Sequence, residues 1–138
     1  MSSAKFNKQR VIPPGDLNFN ARTVAATATV STVFGTNGYT QLSFGLSVTR
    51  VAASVWTVIL EWSPNYTGPG TAIWIREQMG TPSAGTTTLA DNTYSFTTSA
   101  TDTLSIDVPI NYPNMRFTVN NTGGTTDTAT AFVILGTN

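Results

Sequence analysis

The chain has 138 residues with no cysteine and no histidine, which excludes disulfides, thiol nucleophiles, imidazole metal sites and Ser-His-Asp chemistry. Charged residues make up only 10% of it, and seven basic side chains balance seven acidic ones, so no excess of charge points to nucleic acid. The length is that of one domain, large enough to bury a core without metal or crosslink.

Threonine supplies about a fifth of the residues, so the polar surface is hydroxyl and amide rather than charge. That β-branched side chain suits the solvent face of a strand. A surface so poor in charge has little repulsion between copies, which suits a protein destined for an assembly.

Residues 1–20 read as an extended N-terminal arm, and 21–138 as the folded domain. Lys5, Lys8 and Arg10 are the only charges before Asp16, and Pro13-Pro14-Gly15 argues against a helix or a central strand. A basic arm on a mildly acidic body points to an acidic partner surface or to neighbouring copies. There is no apolar run of signal-peptide or membrane-spanning length, so synthesis in a cytoplasm is expected, without membrane contact.

Strand signals begin at Ala21. From 21 to 33 small or apolar residues alternate with threonine, which predicts one strand, and Gly35-Thr36-Asn37-Gly38 predicts a turn. In 40–49 the period of two is close to complete, with Leu42, Phe44, Leu46 and Val48 on one face. In 54–62, SVWTVILEW, one face carries Trp56, Val58, Leu60 and Trp62 and must look into a core, while Val55, Thr57, Ile59 and Glu61 form a mixed face. Residues 64–70 read as a loop, 71–79 as a strand with Trp74, Arg76 and Gln78 on one side, and 81–91 as a hydroxyl-rich loop.

Further strands are predicted over 92–98, 102–110, 115–120 and 127–135. Pro109 marks an edge or a strand end. The closing apolar run Ala131-Phe132-Val133-Ile134-Leu135 suits a central strand covered on both faces. About eight strands at short spacing, with no amphipathic helix, predict an all-β β-sandwich or barrel, and over two sheets a jelly roll.

Paired carboxylates are the one catalytic device this composition leaves open. Glu61 and Glu77 stand near strand ends, and Asp102 and Asp107 share a strand. Seven acids in any chain offer such pairs, and no phosphate or dinucleotide fingerprint accompanies them, so no catalytic residue is assigned and no enzyme is expected. No loop carries the several carboxylates that calcium needs, so no metal or cofactor is expected either.

Trp56, Trp62, Trp74 and Tyr66 would make an aromatic platform for sugar rings if Trp62 and Tyr66 flank the 64–70 loop. At strand spacing such rings usually fill a core instead. Arg116, after Tyr112-Pro113-Asn114, is expected to pair with an acid or to bond loop carbonyls.

The stretch VWTVILEWSPN, a second tryptophan strand, and then NYPNMRFTVNNTGGTTDTATAFVIL resemble small β-sandwich virion proteins of tailed bacteriophages. The resemblance covers residues 41–138. It implies a decoration (cement) protein on the capsid exterior, a jelly-roll homotrimer whose partners are the major capsid protein and neighbouring copies of itself. The arm would then be the staple, with Lys5, Phe6, Lys8 and Arg10 as its contacts. The alternative is a receptor- or carbohydrate-binding module of a phage tail or fibre, resting on the tryptophan and tyrosine residues.

Overall fold

The computed structural model describes residues 8–49, 54–68, 70, 72–76, 78–83, 86–91, 93–98 and 101–137. Lys5 and Phe6 lie outside these residues. Strands are the only regular elements among them: β1 (Lys8–Ile12), β2 (Arg22–Val24), β3 (Thr29–Gly35), β4 (Gln41–Thr49), β5 (Ser54–Ser63), β6 (Ile75–Arg76), β7 (Gln78–Ser83), β8 (Thr86–Asp91), β9 (Thr93–Thr98), β10 (Thr101–Pro109), β11 (Asn114–Asn121) and β12 (Asp127–Thr137).

Two antiparallel sheets pack face to face as a β-sandwich. One runs β1–β12–β4–β10, with β2 also on β12. The other runs β3–β11–β5–β6, with β9 also on β5. Strands β7 and β8 form a separate hairpin. In each sheet one edge is split between two short strands. Strand β1 pairs with the C-terminal half of β12 and β2 with its start, while β6 takes the end of β5 and β9 its beginning. With each split edge counted as one, eight strands remain. The first then pairs with the eighth, the second with the seventh, the third with the sixth and the fourth with the fifth.

Alternation in the sequence becomes the inside and outside of this sandwich. On β4, Leu42, Phe44, Leu46 and Val48 are buried, and on β5 so are Trp56, Val58, Leu60 and Trp62. Met115, Phe117 and Val119 supply the inner face of β11, and Ala129, Ala131, Val133 and Leu135 that of β12. Phe117 lies at the centre, its ring centroid 4.7 Å from Phe44, 5.4 Å from Phe19 and 6.3 Å from Phe34. Ring pairs at these spacings add to what their buried area contributes.

Several expectations change. The predicted strand over 21–33 is two strands in different sheets. A turn closed by Ala28 N–H donating to Ala25 O carries the chain across, and Thr27 adopts φ 60° there. Residues 81–83 and 86–91, expected in a loop, are strand residues of the β7–β8 pair, because their threonines are strand formers and their backbones pair. The strand predicted over 71–79 is interrupted: among its described residues 72–74 are irregular, Ile75 and Arg76 join β5, and Gln78 and Met79 begin β7. Strand β12 is central but covered on one face only, with Phe132 exposed on the other.

The described part of the expected arm lies against the chain's own sandwich. After β1, Leu17 N–H and Asp16 N–H donate to Pro13 O, and this compact turn drives Leu17 and Phe19 into the core beside Ile12. Phe19 O accepts from Ala131 N–H at 2.9 Å, so the segment bridges the gap between β1 and β2. Proline at 13 and 14 breaks the edge strand, and three buried apolar side chains fix where the break goes.

Candidate functional site

The outer face of the β3–β11–β5–β6 sheet carries one row of interest. Val33, Arg116, Glu61 and Arg76 stand directly opposite one another across four strands. Arg116 Nε and Nη2 both donate to Glu61 Oε1, at 2.9 and 2.6 Å, and Arg76 Nε donates to Oε2 at 3.4 Å. The Glu61 side chain is only 8% exposed. A carboxylate placed there needs those guanidinium partners, since an unpaired charge in so little water is costly.

The connection from β5 to β6 supplies the rest. Asn65 Oδ1 accepts from Ile73 N–H at 2.9 Å and from Ser63 Oγ–H at 3.2 Å, which holds the two ends of the connection together. Trp74 then lies on the Arg116 guanidinium, whose Cζ is 4.3 Å from the ring centroid. Tyr66 stands 5.8 Å from Trp74 at an interplanar angle of 46°. Both rings are half-buried.

Together these residues enclose a cleft of about 420 Å³. Its walls are Tyr66, Gly68, Gly70, Ala72 and Trp74 of the connection, and its floor is Ser31, Val33 and Arg116. The volume lies near the lower end of the range for small-molecule sites, about 300–1,000 Å³. Ser31 Oγ and Thr118 Oγ1 share a hydrogen bond of 2.8 Å beside it. Aromatic, hydroxyl and guanidinium groups thus converge on one concave surface.

The opposite outer face, that of the β1–β12–β4–β10 sheet, is different in kind. Phe132 and Ile134 of β12 project outward, and Val11 of β1 is opposite Ile134. Val11 is 55% and Phe132 38% exposed. Around this apolar ridge lie Ser43, Thr103 and Ser105, which with Phe132 and Ile134 border a hollow of about 210 Å³.

The sequence-derived site residues are divided by the fold. Lys8 and Arg10 lie exposed on the edge strand β1, with Lys8 Nζ 4.7 Å from the Tyr39 ring centroid. Trp56 and Trp62 are core, as their spacing predicts, whereas Tyr66 and Trp74 line the cleft. Trp62 and Tyr66 therefore do not make a shared platform. Arg116 pairs with an acid, and the acid is Glu61.

Among the carboxylates, Glu77 lies outside the described residues. Asp107 accepts from Ser43 Oγ–H at 2.6 Å on the β4–β10 outer face, on the far side of the sandwich from Glu61. No three metal-ligating side chains come together among the described residues.

The chain matches no protein-family model, and a search of the curated proteins finds no match to it.

Proposed function

We propose that the chain is a structural virion protein that binds and stabilises the exterior of a phage capsid. The observation that supports this best is the outer face of the β1–β12–β4–β10 sheet. An exposed apolar ridge of Val11, Ile134 and Phe132 crosses a face that also carries Ser43, Thr103, Ser105 and the Asp107 carboxylate, and Lys8 and Arg10 are exposed on the same edge strand as Val11. Large apolar side chains contiguous on a monomer surface are what an interface buries. The first-with-eighth, second-with-seventh pairing of the strands is read as jelly-roll connectivity, an architecture that capsid and lectin domains share. The partners in this reading are the major capsid protein and neighbouring copies in a homotrimer. Many copies binding only the closed shell would oppose its opening by mass action.

The test is sedimentation with shells from which the protein has been stripped. Full-length protein is expected to co-sediment and to raise the temperature at which shells open, and Phe132→Ser is expected to weaken both. Full-length protein that stays in the supernatant, under conditions where shells remain intact, overturns the reading.

A second reading, a receptor- or carbohydrate-binding module of a tail or fibre, is favoured by one observation: Tyr66 and Trp74 line a cleft instead of filling the core.

A further inference from the structure

We infer that the cleft between the β5–β6 connection and the β3–β11 floor is a saccharide site that takes a single neutral hexopyranose unit. The inference rests on the second reading above and names its site and its ligand class.

Three features select that ligand. First, the two rings are tilted by 46° with centroids 5.8 Å apart, so they form a notch and not a flat shelf. A flat, extended polysaccharide surface needs coplanar rings, whereas a notch grips one sugar, with the C–H face of the pyranose on an aromatic ring and its edge against the other. Burying that apolar face is the hydrophobic contribution to binding. Second, Arg116 lies against the Trp74 ring, which fixes the indole in the wall of the cleft. A ring held in advance loses little freedom when the sugar binds.

Third, the guanidinium at the site is already paired. Arg116 is the one charged residue among the described residues that line the cleft, and Glu61, which also accepts from Arg76, pairs with it through two hydrogen bonds to a single oxygen. The guanidinium has further N–H groups to offer a sugar hydroxyl, while its pairing with Glu61 leaves less of its charge to reward a carboxylated sugar. Ser31 Oγ adds a group that both donates and accepts. This pattern fits the hydroxyl rim of an uncharged hexose. Arg116 acts here as a positioning residue for Trp74 as well as a donor.

The experiment applies the full chain to an array of neutral and acidic glycans, then titrates the retained neutral sugar while following tryptophan emission. Trp56 and Trp62 are buried, so a change in emission on binding is expected to come from Trp74 and to vanish in Trp74→Phe. Trp74→Ala and Tyr66→Ala are each expected to weaken binding at least tenfold with the melting transition retained. Trp74→Phe, which keeps a stacking ring, should lose only a few-fold and covers the case in which the alanine variants fail to fold. Sugar binding by the full chain that Trp74→Phe, Trp74→Ala and Tyr66→Ala all leave unchanged overturns the site while the second reading stands. Retention of acidic glycans alone overturns the neutral class. No retention of any glycan overturns both the site and the second reading.

Discussion

Gly45 shows how a single missing methyl group shapes a surface. It stands opposite Phe132 in the β4–β12 register, and a Cβ built on it would lie 2.6 Å from Phe132 Cδ2 and 3.0 Å from Cε2. The glycine is needed for close approach and not for an unusual φ, because the phenyl ring takes the space that a Cβ would fill. Glycine usually weakens a strand interior, and here the aromatic partner covers the exposed backbone. Gly45→Ala must therefore push the ring outward. The expected cost is about 1–2 kcal/mol, the range for a modest steric insertion, measured as a lower denaturant midpoint at unchanged slope. In a Phe132→Ala background the same substitution should cost much less, with a coupling of about 1 kcal/mol between the two sites. Strict additivity would show that the ring does not rest on Gly45.

At the scale of elements, one buried side chain joins the two loops at an end of the sandwich. Asn121 closes β11, and its Nδ2 donates to Val24 O at 3.2 Å, Ala25 O at 3.3 Å and Thr125 O at 2.9 Å. Its Oδ1 accepts from Gly123 N–H at 2.9 Å. The β2–β3 crossing and the β11–β12 loop thus share a hub with no exposure to water. Asn121→Ala would strand several buried backbone groups, and each costs about 1–3 kcal/mol when unpaired. A loss of about 2–4 kcal/mol in chemical denaturation is expected, and Asn121→Asp should do no better because it removes the donors. A loss below 1 kcal/mol would mean that water replaces the side chain. The local pattern offers Asn121 a turn with Gly123 and Thr125 but does not mark it as a hub, since Val24 and Ala25 are distant in sequence. The same holds for the Arg116–Glu61 pair: the arginine's need for an acid is legible, but the choice among seven acids depends on register. Faces are legible where period-two runs are long, as in β4 and the Trp56–Trp62 face, because an amphipathic strand has only one way to bury its apolar side. The break at 72–74 was not legible, because the residue that Trp74 rests on, Arg116, is distant in sequence. The role of Leu17 and Phe19 was hidden by the prolines before them, which mark a break in pairing but not the direction of the side chains that follow.

For the whole molecule, the part of the N-terminal segment that belongs to the fold can be tested apart from the proposed staple. Residues 8–20 belong to the fold: β1 pairs with β12 over five residues, and Ile12, Leu17 and Phe19 are among the core side chains. Phe19 also has Arg22 over its ring at 5.3 Å. Large-to-small replacements at such positions cost about 2–5 kcal/mol each, against a net stability of about 5–15 kcal/mol for a domain of ordinary size. Deleting residues 1–20 removes all three together with the edge strand, and leaves one side of β12 open to pair with other chains. That variant is expected to lack a cooperative melt and to aggregate. Deleting residues 1–7 takes away Lys5 and Phe6 but no residue of the described sandwich, so its melting temperature should stay within a few degrees of the full chain. Only the shorter deletion can then report on a staple: if it retains its melt and loses binding to stripped shells, the contacts reside in those seven residues. If it binds as the full chain does, the capsid contact has to come from the folded body, where the Val11–Ile134–Phe132 face and the basic edge of β1 are the surface to mutate next. A 1–20 deletion that still melts cooperatively near the temperature of the full chain would show that the edge strand and its three core side chains contribute far less than their burial implies.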